Sequence, residues 1–169
     1  MLTLHFAFLT KHAGGREGWL ADYEVGFSAD GTITALKYNF YIDAGINSDD
    51  TSGSVFMGMY WADNAYCLRN YQADATICYT NTPARTSMRA PGVVQTSFCT
   101  ELVVERVAAE LGLPVLQVQQ RNFIADGDMA ICGQVIQDCT LPTVWGTLLQ
   151  RSQYEARLNR AMQYNTRSL

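Results

Sequence analysis

The stretch of this chain with the clearest chemical potential covers residues 82–95, Thr-Pro-Ala-Arg-Thr-Ser-Met-Arg-Ala-Pro-Gly-Val-Val-Gln, where a polar strand exit passes through a Pro-Gly turn and opens a helix. Such a turn aims main-chain amides outward at the positive end of a helix dipole, which suits an anion. Other residues that could do chemistry are less well placed. A self-contained hydrolase needs a nucleophile held beside a base. The two histidines, His5 and His12, stand far from any Ser or Cys in a sharp-turn context, so no catalytic residue is nominated. Asp49-Asp50 could serve as paired carboxylates or ligands for a hard cation, but adjacent acids in a Ser/Gly-rich loop read as solvated and no metal site is expected. No Gly-x-Gly-x-x-Gly follows a strand and no Walker loop is present, which argues against a nucleotide site. Cys67, Cys78, Cys99, Cys132 and Cys139 are odd in number and contain no Cys-x-x-Cys pair, so they read as reduced, packed thiols rather than disulfides or zinc ligands.

At 169 residues, with 48% hydrophobic and 17% charged, the chain is long enough for one domain with a core and too apolar for disorder. Twelve Lys and Arg against sixteen Asp and Glu leave a net charge of −4, so neither nucleic acid nor an anionic membrane is an expected partner. The apolar run over residues 4–9 is too short to span a bilayer and lacks the basic leader of a secretory signal. A cytoplasmic protein is expected.

The elements that would position the turn follow from periodicity. Residues 20–28 and 32–42 flank Asp30-Gly31, a dipeptide that tolerates positive φ and favours a tight hairpin. Leu36, Tyr38, Phe40 and Ile42 alternate with Lys37, Asn39 and Tyr41, the period of a half-buried strand. Leu2, Leu4, Phe6 and Phe8 alternate similarly, whereas residues 11–18 read as a loop. Residues 43–54, rich in Gly, Ser, Asp and Asn, predict a surface loop, and 55–66 is ambiguous. A third strand follows, with Tyr71, Ala73, Ala75, Ile77 and Tyr79 on one face. Beyond the Pro-Gly turn, Val94, Phe98, Leu102, Val103, Val107 and Leu111 form a helical stripe opposite Thr96, Glu101, Glu105 and Glu110. Gly112 ends that helix. Pro114 suits the start of a short helix to about Asn122, and Thr140 with Pro142 opens another carrying Leu141, Trp145 and Leu148. Tyr154, Leu158 and Met162 mark a last helix, with residues 164–169 expected to fray. Strands followed by helices predict one α+β domain over residues 1–169, an antiparallel hairpin-based sheet packed with helices.

The order of turns and caps carries more than each alone. Ala13-Gly14-Gly15-Arg16 precedes Tyr23-Glu24-Val25-Gly26-Phe27, Asp30-Gly31, Asp43-Ala44-Gly45 and Asp63-Asn64-Ala65-Tyr66. Thr80-Asn81-Thr82-Pro83, Arg89-Ala90-Pro91-Gly92 with Gln95, Gly112-Leu113-Pro114, Arg121-Asn122, Gly127-Asp128, Gly133-Gln134 and Trp145 come after them. In this order the chain resembles the molybdopterin-binding region of the xanthine dehydrogenase and aldehyde oxidase family, over nearly its whole length but only an internal slice of a complete member. The resemblance implies a parent oxidoreductase with a molybdenum-molybdopterin cofactor, FAD and two 2Fe-2S clusters, which hydroxylates aldehydes or N-heterocycles such as purines. It implies that Met88, Arg89 and Ala90 contact the cofactor through main-chain amides. Pro91 stands where many members place an aromatic residue that packs on substrate, and Met57 stands where xanthine-oxidising relatives place an arginine. Met57 offers contact area but no donor, which tilts the substrate class toward aldehydes or apolar heterocycles. The family's general-base glutamate matches no residue here, so this fragment alone is expected to be inactive. Complete members form homodimers, and a homodimer is a candidate state. A rival reading is a non-catalytic binding or self-associating module that retains the family fold and uses Trp19, Tyr60 and Trp61 on an exposed face.

Overall fold

A computed structural model describes residues 14–168. Strand β1 (Gly18–Phe27) and strand β2 (Ile33–Gly45) form the expected antiparallel hairpin, with Tyr23 opposite Tyr38 and Trp19 opposite Ile42. The reversal needs positive φ at Gly31, +87°, and closes with the Gly31 amide donating to the Ser28 carbonyl at 2.9 Å. Asn122 locks this corner from the far end of the sequence. Its side-chain oxygen accepts from the Ile33 amide at 2.8 Å and its amide group donates to the Gly31 carbonyl at 2.8 Å.

Helix α1 (Thr51–Tyr60) follows β2, and strand β3 (Tyr71–Tyr79) returns to pair with β2 in parallel, giving the order β1-β2-β3. The sheet is therefore mixed, and only its hairpin half is antiparallel. The α+β architecture otherwise stands as expected. The predicted surface loop over 43–54 shrinks, because β2 runs on to Gly45 and α1 begins at Thr51. Helices α2 (Val93–Leu111), α3 (Val115–Asn122), α4 (Leu141–Arg151) and α5 (Tyr154–Ser168) complete the described chain. The stretch expected to fray is helical through Ser168. The strand read from Leu2 to Phe8, His5 and His12 lie outside the described residues.

The core forms where one face of β2 meets α2. Leu36, Tyr38, Phe40 and Ile42 are all at most 2% exposed, and they pack with Val103, Val104, Val107, Tyr66 and Val118. The expected α2 stripe is rotated. Its inner face uses Thr96, Thr100, Val103, Val104 and Val107, leaving Val94, Phe98 and Leu102 at the surface. Threonine is tolerated inside because its hydroxyl is used: Thr100 Oγ1 donates to the Ala62 carbonyl at 2.7 Å and lies 3.2 Å from the Tyr38 hydroxyl. Gly112 ends α2 in the left-handed region at φ +64°, as its position suggested.

Candidate functional site

The 82–95 segment is positioned by the end of the sheet. After β3 the chain runs along the last residues of β2: the Ile46 amide donates to Thr82, Thr80 to Gly45 and Arg85 to Ala44, at 2.9 to 3.0 Å. Asp43 fastens the same junction. It accepts from the Thr80 hydroxyl at 2.6 Å and from Arg85 Nη2 at 3.3 Å. The Thr80 hydrogen bond, helped by the Gly45 amide and Arg85, holds the Asp43 carboxyl below the usual carboxylate range despite its partial burial. The next residues meet the start of the described chain, where the Thr86 amide donates to the Gly15 carbonyl at 3.1 Å.

The turn over residues 88–92 has an unusual backbone. Ala90 has φ +53° and Gly92 φ +71°. At Gly92 an added Cβ would lie 1.9 Å from the Ser54 carbonyl oxygen and 2.7 Å from the Gly58 nitrogen, so the turn sits directly on α1 and only glycine fits. Gly58 reciprocates, since a Cβ added there would meet Trp19 at 2.7 Å and the Gly92 oxygen at 3.1 Å. This paired close approach brings α1, and Met57 next to Gly58, to within a residue of the turn.

Arg16 reaches the turn from the strand entry. Its Nη2 donates to the Arg89 carbonyl at 2.6 Å and its Nη1 to the Ala90 carbonyl at 3.1 Å. Among the described residues, the amides of Met88, Arg89 and Ala90 donate to no backbone or side-chain acceptor. Met88 and Pro91 are half-buried, and Arg89 and Ala90 are exposed. Helix α2 starts immediately after, with Gly92 at its N-cap and no side-chain cap, so the positive end of its dipole adds to the same surface. Behind the turn lies a polar cluster. Buried Glu17 accepts from the Ser54 hydroxyl at 2.7 Å, Ser54 lies 3.3 Å from the Ser87 hydroxyl, and Ser87 donates to Asp50. Asp50 is thus bound to the turn's flank, and among the described residues no group of three His, Cys, Asp or Glu side chains could hold a metal ion.

Of the residues singled out from sequence, Met88, Arg89, Ala90 and Pro91 form one turn and Met57 sits on the helix that the turn packs against. Met57 is 37% and Phe56 61% exposed, so neither is simply a core residue, whereas Met59 packs against the core. Trp19 packs edge-on against Phe40 at 5.2 Å between ring centres, while Tyr60 and Trp61 are each 39% exposed. Sequence reasoning gave no role to Arg16, Glu17, Ser54 or the Gly58–Gly92 contact. The only signal was the place of Gly14-Gly15-Arg16 at the head of the ordered motif series.

A turn whose amides lack acceptors among the described residues thus stands at a helix start on an α+β frame. A family profile described as the molybdopterin cofactor-binding domain matches residues 3–123, and the chain belongs to that family. It is 36% identical over 153 residues to the xanthine dehydrogenase/oxidase of Mus musculus, covering 90% of this chain and 11% of that protein. It is 32% identical over 155 residues to aldehyde oxidase 2 of the same organism, covering 92% of this chain and 12% of that one. The chain therefore spans about a tenth of the length of these curated relatives. The solved aldehyde oxidoreductase of Desulfovibrio gigas superposes with a TM-score of 0.80 at 24% identity, over 88% of this chain and 16% of that one, and shares the fold.

Proposed function

We propose that this chain is part of a molybdenum-cofactor oxidoreductase that hydroxylates aldehydes or N-heterocycles such as purines, and that its 88–92 turn supplies main-chain contacts to the cofactor. One observation carries the reading: the carbonyls of Arg89 and Ala90 are taken by Arg16, while the amides of Met88, Arg89 and Ala90 have no acceptor among the described residues. These donors fit an anionic, oxygen-bearing group, and amides suit the task because they are fixed and do not titrate. When bound, the molybdenum-molybdopterin group would supply the two-electron oxidising chemistry of the hydroxylation.

The chain's own residues then bind and orient. Met88, Arg89 and Ala90 hold the cofactor through their amides. Pro91 has no N–H to offer and contributes apolar surface on the substrate side. Met57 contributes polarizable contact area without a donor, which favours aldehydes or apolar heterocycles over purines. FAD and 2Fe-2S clusters belong to other parts of the parent polypeptide, as does the general base, so the isolated 169-residue chain turns over no substrate.

Purification of the native enzyme, followed by metal and pterin analysis and by anaerobic assay with an artificial electron acceptor, tests this. Molybdenum and pterin should co-purify with aldehyde or heterocycle oxidation, and the isolated chain should be inert. A native protein without either group, or sustained oxidation by the isolated chain, would overturn the reading. A second reading, a self-associating module, is favoured by the exposure of Val94 at 49%, Phe98 at 64% and Leu102 at 44% along one side of α2. A native polypeptide with the mass of this chain alone, sedimenting as a dimer, would support it instead.

A further inference from the structure

We propose that Arg16 is the positioning residue of the cofactor turn, holding the 88–92 backbone in the orientation that turns its donors outward. The inference rests on the cofactor reading above and gives Arg16 a role that the reading leaves open. Two successive carbonyls, Arg89 and Ala90, converge on one guanidinium at 2.6 and 3.1 Å. A guanidinium is a rigid planar fork whose donors lie in fixed directions, so it fixes both peptide planes at once where a lysine ammonium would fix one. In a trans peptide the carbonyl and the following N–H point in opposite directions. Gripping the Arg89 oxygen therefore aims the Ala90 N–H away from Arg16, while gripping the Ala90 oxygen orients the Pro91 peptide, which has no N–H.

The turn needs an external holder. Ala90 sits at φ +53°, a region that non-glycine residues enter only under constraint, and a peptide rotation would relieve it. The flanks of the turn are tied to the same stretch of chain that carries Arg16. The Gly15 carbonyl accepts from the Thr86 amide, the Glu17 carbonyl accepts from Gln95 Nε2 at 3.2 Å, and the Glu17 carboxylate accepts from Ser54. Gly14 lies against the Ala84 carbonyl, where an added Cβ would come within 1.9 Å, so the start of the 14–17 segment packs closely on residue 84. Residues 15 and 17 thus anchor both ends of the segment, and Arg16 between them sets its middle.

The test uses the full-length native enzyme with its cofactor. Arg16→Gln, Arg16→Lys and the double variant Arg16→Gln with Ala90→Gly are compared for molybdenum and pterin retained after dialysis, for hydrogen exchange of the turn peptide and for melting temperature. Arg16→Gln should release cofactor about tenfold faster, the loss expected for hydrogen bonds to a charged donor, and its turn amides should exchange faster at nearly unchanged melting temperature. Arg16→Lys should fall between. Ala90→Gly should restore part of the retention, because glycine holds positive φ without help. Wild-type retention and exchange in Arg16→Gln would overturn the proposal, as would a loss that tracks melting temperature and is not eased by Ala90→Gly. A photoreactive side chain at Met88, with Arg16 intact, separates the two levels. Cross-linking to the pterin together with an indifferent Arg16→Gln refutes the clamp alone, whereas no cross-link refutes the cofactor placement on which the clamp depends.

Discussion

Gly92→Ala should be among the most damaging single-methyl changes available in this chain, because two separate effects fall on one atom. The residue sits at φ +71°, which a Cβ disfavours by about 1 kcal/mol. The new methyl would also be placed 1.9 Å from the Ser54 oxygen and 2.9 Å from the Gly58 Cα, both main-chain atoms of α1 that cannot rotate aside. Overpacking against a rigid neighbour adds about 2 kcal/mol or more. Gly112→Ala is the internal control: it has φ +64° but nothing within 4 Å of its Cβ position, so it should lose only the conformational part. The two variants are compared by urea unfolding followed through tryptophan fluorescence. Gly92→Ala should fall below Gly112→Ala by about 2–3 kcal/mol at unchanged denaturant slope. In thermal melts the gap should be about 5–10 °C. Equal losses in the two variants would mean that the turn does not rest on α1, and the argument placing Met57 beside it would fail.

Four further outcomes follow from the same structure. Tyr66→Phe should cost about 2 kcal/mol in urea unfolding, since its buried hydroxyl donates to both Glu101 oxygens at 3.0 and 2.9 Å. Asn122→Ala should cost about 3 kcal/mol in the same assay, because the Ile33 amide and the Gly31 carbonyl would be left buried without partners. Phe98→Ser should stay within about 0.5 kcal/mol of the wild-type chain whereas Val107→Ala loses about 2 kcal/mol; had Phe98 faced the core beside Val107, as the expected stripe had it, both substitutions would cost about 2 kcal/mol or more. The Arg121 hydrogen bond holds the Asp30 carboxyl at about 2 against an ordinary 3.8, so its stabilisation is present above that ordinary value and is lost as pH falls toward 2. Acid titration of unfolding should therefore be shallower over that window in Asp30→Asn, and the difference should shrink in high salt because the pair is exposed.

The fold was legible wherever the signal was local. Asp30-Gly31 placed the hairpin, alternation placed β2 and β3, and Gly112, Pro114 and Thr140-Pro142 placed helix ends. Direction was not legible, since a period of two is the same for a strand running either way, and β3 joined β2 in parallel. Helix α1 escaped because Thr51-Ser-Gly-Ser lacks an apolar period and its seat is a tertiary contact between Gly58 and Gly92. The α2 stripe was misphased because Thr96 reads as solvent-facing, although its hydroxyl is satisfied inside by the Gly92 carbonyl, and Thr100, donating to Ala62, joins it there. At the site, the turn itself could be read from Arg-Ala-Pro-Gly, but its holder could not. Arg16 lies more than seventy residues away, and nothing in a Gly-Gly-Arg sequence says which carbonyls the guanidinium will meet.

The most direct measurement is an experimental density map of the native, cofactor-loaded enzyme at a resolution that places main-chain nitrogens. The amides of residues 88–90 should lie about 2.7–3.2 Å from oxygen atoms of the molybdenum group, with the Arg16 guanidinium on the opposite side of the turn. A map in which those nitrogens meet only protein, or in which the cofactor lies against another face of the domain, would contradict it.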